Sequence, residues 1–462
     1  MFNTQGTNTA NPSLLPQPDR YGLLTDLYQL TMTACYCGEG LDQRWASFEL
    51  FTRRLPEHYG YGIAMGLAQA LDYLQNLRFS GEDLDWLRST GLFTHAPQSF
   101  WTLLATLPDT GTLFSGTLWA VPEGTPIFPH EPLLRVEAPL WQAQIVETYL
   151  LNTLNYQTLI ATRAARLRSL LGAEPQLLEF GTRRAFSPQA SLWAARAALA
   201  AGFNATSNVF AAQQLGQNPS GTMAHALVMA IAALEGDEDQ AFAAFHRYFP
   251  GAALLIDTYD PEAAIDRLAQ QVAAGANIPA VRLDSGDLVS LSQRIRERLP
   301  GTKILASGDL DEPQIQALQA AGASLDGYGI GTKLVTGKPI NGVYKLVDID
   351  GIPVMKESSG KATYPGRKQI YRTYAPDGTL KHDRLGLMEE TPLPGEIPLL
   401  AKVMADGKCL KLPESIETIA TRVQHNVERL PAQLRQVQDP AAPPVELSPA
   451  LTTLVEKTRK AL

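Results

Sequence analysis

Arginine and aspartate residues follow apolar segments in the second half of the chain. Arg183 and Arg184 come after QLLEF, and Arg282 and Asp284 lie at the end of AVRLD. Arginine holds phosphate or carboxylate groups through paired hydrogen bonds, and aspartate accepts hydrogen bonds from hydroxyls or binds Mg²⁺. These residue types indicate an anion site. The alternatives are a solvated arginine pair at the surface and a structural salt bridge between Arg282 and Asp284.

A short repeat places further carboxylates next to predicted strands. The tripeptide SGD, followed by leucine, occurs at 285–288 and again 22 residues later at 307–310, each time between an apolar run and a helical pattern. The same interval reaches Gly329, in a GYGIGT turn that we expect to follow a weaker strand, SLDG. In a βα barrel the carboxyl ends of the strands form the active site. Asp287 and Asp309 are therefore candidate ligands for hydroxyls or Mg²⁺, unless they only form turns and caps.

Two further segments have groups that could bind or accept phosphate. Gly327, Gly329 and Gly331 offer backbone N–H groups, but their spacing matches neither the dinucleotide fingerprint nor the P-loop. His225 stands near the start of a helical pattern in SGTMAHALVMAIAAL. A single histidine near a helix start is commonly a packed or capping residue, so the local sequence leaves its role open.

Hydrophobic periodicity predicts the elements that position these residues. Helical and strand patterns mix over 21–138, which predicts an N-terminal mixed α/β domain. Over 139–340 a long helical segment precedes alternating strands and helices, the pattern of βα units. Two hairpins with Asp-Gly turns and later helices predict that 341–462 packs with the N-terminal domain. Residues 1–20 are polar and predict a flexible tail.

Composition narrows the class of protein. The 462 residues are 45% hydrophobic and 19% charged, which is typical of globular proteins. A net charge of −8 argues against a protein that coats nucleic acid or membranes. The apolar runs are too short to span a bilayer, and the N-terminus does not have the pattern of a signal peptide. Three cysteines without a CxxC pair fit a reducing compartment, so we expect a cytoplasmic protein.

A series of segments resembles, in order, the motifs of the nicotinate phosphoribosyltransferase family. They are LLTDLYQLTM, RWASFELFTRRLP, VPEGTPIFPHEPLLRVE, EFGTRRA, TSNV, GTMAHA, VRLDSGDL, SGDL and GIGTKLVTG. The resemblance runs from Leu23 to about Lys345 and is specific because many motifs agree in type and order. It implies an irregular α/β barrel of the type II phosphoribosyltransferase kind, with a second mixed α/β domain.

The resemblance also implies a reaction and its residues. Nicotinate and phosphoribosyl pyrophosphate would give nicotinate mononucleotide and pyrophosphate in NAD salvage, with Mg²⁺ and with ATP hydrolysis coupled through phosphorylated His225. Asp284 and Asp287 are the predicted Mg²⁺ contacts, through water if not directly. Tyr28 matches an aromatic residue that reaches the site of a neighbouring subunit, so a homodimer is expected. The other positions that match the family site are Arg183, Thr222, Arg282, Asp284, Gly308, Asp309, Gly329, Gly331 and Thr332.

Three alternatives differ in substrate or in class. In the relative that uses nicotinamide, an aspartate stands where this chain has Ser207. A carboxylate there would repel nicotinate, so Ser207 favours the acid as substrate. Quinolinate phosphoribosyltransferase needs a denser basic pocket and has no ATP-linked histidine. A barrel that binds nucleotides without catalysis is opposed by the presence of every polar motif.

Overall fold

The computed structural model describes residues 18–358 and 363–461. The predicted tail, residues 1–20, therefore lies almost entirely outside the described residues, and the description begins with a 3₁₀ helix at Pro18–Leu23. No helix in the described part of the chain is long and apolar enough to cross a membrane.

The N-terminal region mixes helices and strands, as the sequence predicts. Its elements are α1 (Leu27–Gly38), β1 (Trp45–Thr52), β2 (Gly62–Ile63), α2 (Leu67–Asn76), α3 (Gly81–Ser89), α4 (Gln98–Ala105), β3 (Thr117–Ala120), β4 (Pro126–Ile127) and β5 (Pro132–Pro139). Strand β1 is buried along nearly all of its length because both of its faces are covered.

The central region alternates strands with helices. Its elements are α5 (Leu140–Ile145), α6 (Glu147–Leu171), β6 (Gln176–Glu179), α7 (Pro188–Ala200), β7 (Ala205–Thr206), α8 (Val209–Gln214), α9 (His225–Glu235), α10 (Glu238–Tyr248), β8 (Leu254–Leu255), α11 (Pro261–Ala273), β9 (Ala280–Leu283), α12 (Leu288–Arg298), β10 (Lys303–Ala306), α13 (Glu312–Ala320), β11 (Gly327–Ile330) and α14 (Thr332–Val335).

The C-terminal region adds the two predicted hairpins, β12–β13 and β14–β15. Its elements are β12 (Gly342–Ile349), β13 (Ile352–Pro353), β14 (Lys368–Tyr374), β15 (Leu380–Leu387), β16 (Glu396–Pro398), β17 (Ala401–Ala405), β18 (Lys408–Cys409), α15 (Ile416–Glu428), a 3₁₀ helix (Ala432–Arg435), β19 (Val445–Leu447) and α16 (Pro449–Lys460).

Strands from the two ends of the chain form one seven-stranded sheet, in the order β13-β12-β1-β5-β3-β17-β18. Strand β1 pairs antiparallel with β5 on one side and with β12 on the other, where Ala46 lies opposite Ile349. A four-stranded sheet has the order β16-β14-β15-β19, and β2 pairs with β4. The exact limits of the predicted domains stay a prediction.

The six parallel strands of the central region have the order β7-β6-β11-β10-β9-β8. The first of these strands in the chain, β6, pairs with the last, β11, so the strands form a ring. The ring is open only between β7 and β8, which do not pair. Residues 219–224 fill that opening: Ser220 N donates to Thr206 O at 2.9 Å, and Met223 O accepts from Arg282 Nη1 at 3.1 Å. The predicted irregular α/β barrel is confirmed, and its irregularity is this strandless segment.

One sequence interpretation is wrong. The sequence predicts a strand at SLDG and a turn at GYGIGT, but GYGI is itself the strand β11, parallel to β10 and β6. A Cβ atom at Gly329 would overlap the ring of Phe180, so glycine is needed there for close packing. Of the three glycines, only Gly331 follows the strand. The prediction failed because glycines packed inside a buried strand give the same sequence pattern as glycines in a turn.

The two SGD copies also differ in structure. Asp287 is the N-cap of α12 and accepts hydrogen bonds from the backbone N–H groups of Val289 and Ser290. In the second copy the helix begins later, its N-cap is Asp311, and Asp309 is left exposed in the turn. Identical tripeptides therefore position their aspartates differently.

Candidate active site

A cleft of about 640 Å³ opens at the carboxyl ends of the barrel strands. It is formed by the segments after β6, β7 and β9 and by the segment that fills the opening of the barrel. Its lining residues are Phe180, Thr182, Arg183, Ser207, Val209, Pro219, Ser220, Gly221, Thr222, Met223, Ala224, His225, Ala226, Arg282 and Asp284. Six residues predicted from the sequence meet here: Arg183, Ser207, Thr222, His225, Arg282 and Asp284.

Arg282 crosses the cleft floor from β9 to the segment before α9. Its side chain is 13% exposed, and Nη1 donates to Thr222 Oγ1 and Met223 O, both at 3.1 Å. Burial lowers the pKa of Arg282, while the charge of Asp284 raises it. Nη2 is 3.9 Å from Asp284 Oδ1, and Nε is buried without a hydrogen bond within the described chain. The structural salt bridge is therefore long and leaves part of the guanidinium without a partner.

Asp284 is held by neighbours on both sides. Its carboxylate accepts a hydrogen bond from Ser307 Oγ at the end of β10, and its backbone N–H donates to Asp257 Oδ2 at 2.8 Å. A Cβ atom at Gly308, whose φ is +111°, would lie 2.9 Å from Asp284 O, so glycine lets the neighbouring turn approach closely. Gly308 thus acts beside Asp284 and not on the cleft wall.

Two carboxylates of this site were missed by the sequence analysis. Asp257 accepts from Asp284 N and from Ser285 Oγ, each at 2.8 Å. Buried Glu179 accepts from Gly181 N and, at 2.5 Å, from Thr206 Oγ1, so it ties the Arg183 turn to the Ser207 turn. Burial raises the pKa of Glu179. Both residues end an apolar run, AALLID and QLLE, and that signal could have found them.

His225 is the first residue of α9 and is partly buried at the cleft. Its Nδ1 lies 3.0 Å from Thr258 Oγ1. No other hydrogen bond to the ring is present within the described residues, so Nε2 is available to a ligand. A histidine with one anchored nitrogen and one open nitrogen has the geometry of a nucleophile or a proton carrier.

The remaining predicted residues lie outside the cleft lining. Gly331 is near Phe180 O, with Thr332 opening α14, while Gly329 is within β11. Tyr28 is 47% exposed on α1 and does not line the cleft of its own chain. The carboxylate of Asp287 is engaged by the capping bonds and by Ser290 Oγ, which lower its pKa.

Three family models match the chain, and each is specific for one enzyme family. They are the nicotinate phosphoribosyltransferase N-terminal domain (residues 23–155), the nicotinate phosphoribosyltransferase family (175–374) and the C-terminal domain (395–455).

Comparisons with individual proteins indicate the same family as the family models. The nicotinate phosphoribosyltransferase pncB2 of Mycobacterium tuberculosis is 40% identical over 90% of this chain and 89% of its own length. The nicotinate phosphoribosyltransferase of Bacillus subtilis is 44% identical over 77% and 73%. The crystal structure of human nicotinic acid phosphoribosyltransferase superposes with a TM-score of 0.80 at 30% identity, covering 94% of this chain and 99% of that one. This chain belongs to the nicotinate phosphoribosyltransferase family.

Proposed function

We propose that this enzyme transfers the phosphoribosyl group of phosphoribosyl pyrophosphate to nicotinate, forming nicotinate mononucleotide and pyrophosphate in NAD salvage. The observation that carries this proposal is the meeting of Arg282, Thr222, His225 and Asp284 in one cleft at the carboxyl ends of the barrel strands. Family membership supplies the reaction, and the cleft supplies the groups that it needs.

The cleft groups suit a substitution at the anomeric carbon of ribose. The pyridine nitrogen attacks that carbon while its bond to the pyrophosphate oxygen breaks, so positive charge develops on the ribose and negative charge on the leaving group. Asp284, Arg183 and Arg282 all line the cleft. In the proposed reaction Asp284 would stabilise the ribose, and the two arginines would hold the phosphate and carboxylate groups. No covalent bond between the enzyme and ribose is required.

Asp284 fits as a carboxylate contact for Mg²⁺, because its side chain is 36% exposed and Ser307 engages only Oδ1. Within residues 18–358 and 363–461, no three histidine, cysteine, aspartate or glutamate side chains are grouped as metal ligands. A Mg²⁺ ion with one carboxylate contact at Asp284 would take its other ligands from water and substrate phosphates, and it would neutralise charge on the departing pyrophosphate. For Asp287, capping already accounts for the carboxylate, and metal contact through water stays a prediction.

ATP is the proposed co-substrate at His225. The lone pair of Nε2 attacks the γ-phosphorus, the bond from that phosphorus to the bridging oxygen of ADP breaks, and ADP leaves. The phosphoryl group adds negative charge beside the cleft, which would reorganise the groups that hold the ribose donor. Since the sequence has no Walker motif, ATP would use the same anion sites as the ribose donor.

We also propose a homodimer in the cytoplasm. Helix α1 and the residues before it expose Leu24, Leu27 and Tyr28, each between 45% and 52% exposed, although large apolar side chains are usually buried. A second copy covered by this surface would receive Tyr28 beside its pyridine site. The three cysteines are free, as expected in a reducing compartment.

The test is a pyrophosphate-release assay with nicotinate, the ribose donor, Mg²⁺ and ATP. We expect nicotinate-dependent release that ATP stimulates, and we expect His225→Ala to lose the stimulation while a slower ATP-independent transfer remains. His425→Ala is the matched control, because His425 is exposed on α15, away from the cleft. Absence of nicotinate-dependent release from the wild-type enzyme would refute the function, and unchanged ATP coupling in His225→Ala would refute the phosphohistidine.

A further inference from the structure

Two adjacent residues after β8 contact the two chemical centres of the cleft. Asp257 accepts hydrogen bonds from Asp284 N and Ser285 Oγ, both at 2.8 Å. Thr258 Oγ1 lies 3.0 Å from Nδ1 of His225. One peptide bond therefore separates the residue that holds the Asp284 turn from the residue that holds the histidine. Neither Asp257 nor Thr258 lines the cleft, so they act on the substrates only through these neighbours.

Burial and backbone hydrogen bonding fix the position of the segment that contains Asp257 and Thr258. Ile256 is fully buried, and its N–H donates to Arg282 O at 3.2 Å, which continues the pairing of β8 with β9. The next bond of that ladder is the one from Asp284 N to the Asp257 side chain. A displacement at Thr258 would therefore reach Arg282 through the backbone bond of Ile256 and would reach Asp284 through the short carboxylate side chain of Asp257.

The charge of Asp257 strengthens the link. Its Oδ1 is buried and has no hydrogen-bond partner among the described residues. The negative charge of Asp257 also attracts the guanidinium of Arg282 on the neighbouring strand β9. Asp257 thus influences the turn by hydrogen bonds and the cleft arginine by its field.

We propose that Asp257 and Thr258 are positioning residues that couple His225 to the Asp284 turn; the proposal rests on the function proposed above. In this arrangement Nδ1–H donates a hydrogen bond to the Thr258 hydroxyl oxygen, which leaves the Nε2 lone pair directed to the phosphoryl donor. Once Nε2 has the phosphoryl group, the ring keeps its Nδ1 proton and becomes a stronger, charge-assisted donor to Thr258. The resulting shift of residues 257–258 changes the position of Asp284 and the affinity for the ribose donor.

Thr258→Val removes the hydroxyl at constant shape, and Thr258→Ser restores it, so the pair separates hydrogen bonding from packing. The measured quantity is the KM for phosphoribosyl pyrophosphate without ATP, divided by its value with ATP. We expect Thr258→Val to reduce that ratio by about tenfold, with slower labelling of the enzyme by γ-phosphate. Thr258→Ser should retain both. A wild-type ratio and a wild-type labelling rate in Thr258→Val would overturn the role of Thr258.

Asp257→Ala and Asp257→Asn test the other end of the link. Removing the acceptor should raise the KM for the ribose donor by about tenfold and reduce its dependence on ATP, and asparagine should recover part of the loss because its amide oxygen still accepts. Asp260→Asn is the matched control, since Asp260 caps α11 only three residues away and contacts no cleft group. A wild-type KM in folded Asp257→Ala would overturn the role of Asp257.

The two proposals fail in different ways. A wild-type enzyme that shows no nicotinate-dependent release of pyrophosphate refutes the function. A wild-type enzyme that is stimulated by ATP, together with equally stimulated Thr258→Val and Asp257→Ala variants, refutes only the coupling. Melting temperatures of all variants identify a loss that comes from unfolding.

Discussion

Charged residues in the cleft differ in burial and in ion pairing from those in the sheets that the two ends of the chain form. In the cleft, Arg282 is 13% and Asp284 36% exposed, and their closest approach is 3.9 Å. In the sheets, the side chains of Arg372 and Asp383 are 2% and 0% exposed, and they form two parallel hydrogen bonds of 2.8 and 2.5 Å. Buried and fully paired charges have a structural role, whereas charges that remain incompletely paired at a cleft are available to bind a ligand.

The sheets contain a second buried pair with the same character. Lys368 Nζ is 2.8 Å from Glu49 Oε2 and also donates to Tyr364 O and Gly366 O. Glu49 belongs to β1 and Lys368 to β14, so this pair joins the N-terminal sheet to the C-terminal hairpin. Buried ions without partners are costly, and pairing across distant segments therefore selects one arrangement of the two ends.

The largest expected effect is on stability, from Arg372→Met. This change leaves Asp383 buried without its partner and should lower the free energy of unfolding by about 3–5 kcal/mol. Chemical denaturation measures it, and kcat/KM of the remaining folded enzyme should stay near the wild-type value. The double variant with Asp383→Leu should recover much of the stability, because both charges are then removed. A specific loss of catalysis in folded Arg372→Met would break the distinction between the two regions.

Arg282→Ala should show the reverse pattern. We expect kcat/KM for nicotinate to fall by an amount that corresponds to a loss of about 2–5 kcal/mol in transition-state stabilisation, because a substrate anion loses its partner. Thermal stability should change little. Arg282→Lys keeps the charge but loses the planar fork and should also be impaired. Kinetics and melting curves on the same two variants decide the matter. A large loss of stability with normal kinetics would mean that Arg282 only braces the fold.

Ser207→Asp tests whether the cleft distinguishes an acid from an amide. A carboxylate a few Å from that of nicotinate should cost on the order of 2–3 kcal/mol in a partly dry pocket, whereas nicotinamide should be used no worse than before. The readout is kcat/KM for both substrates, with Ser207→Asn as the neutral control of similar size. Unchanged nicotinate kinetics would show that Ser207 does not face the pyridine.

The most gradual effect, and the smallest per unit of change, is a pH dependence of stability from buried Glu131 next to β5. Burial and the charge of Asp383 raise the pKa of Glu131 well above its ordinary value, while Arg372 lowers it. The native state therefore holds a proton that the unfolded state releases, so stability should fall as pH rises above the ordinary glutamate pKa, by at most about 1.4 kcal/mol per pH unit. Denaturation of the wild type and of Glu131→Gln from pH 4 to 8 measures this, and the variant should have a shallower slope; Glu179 and Glu238, whose pKa values are also raised, keep part of it. Parallel curves would assign the proton elsewhere.

Part of the cleft could be predicted from the sequence because Arg183, Ser207, Arg282 and Asp284 lie at or shortly after the ends of strands. Arg282, Asp284, Thr222 and His225 each follow or precede an apolar run, and parallel strands in a barrel bring their carboxyl ends together whatever fills the core. The family motifs added roles that no periodicity contains. Gly329 could not be placed from the sequence. A glycine that packs against Phe180 inside a strand and a glycine in a turn are the same residue type in the sequence, and only the structure distinguishes them.

Long-range contacts were decided only by the tertiary structure. The bond from Asp257 to Asp284 N, the position of Thr258 at His225 and the pairing of β1 with β12 join residues far apart in sequence. Hydrophobic patterns fix which residues are buried and which ends of strands meet, because those depend on local geometry and on burial. They do not fix which polar group reaches which partner, because a hydrogen bond requires atoms within about 3 Å, and that separation is set by the packing of the whole chain.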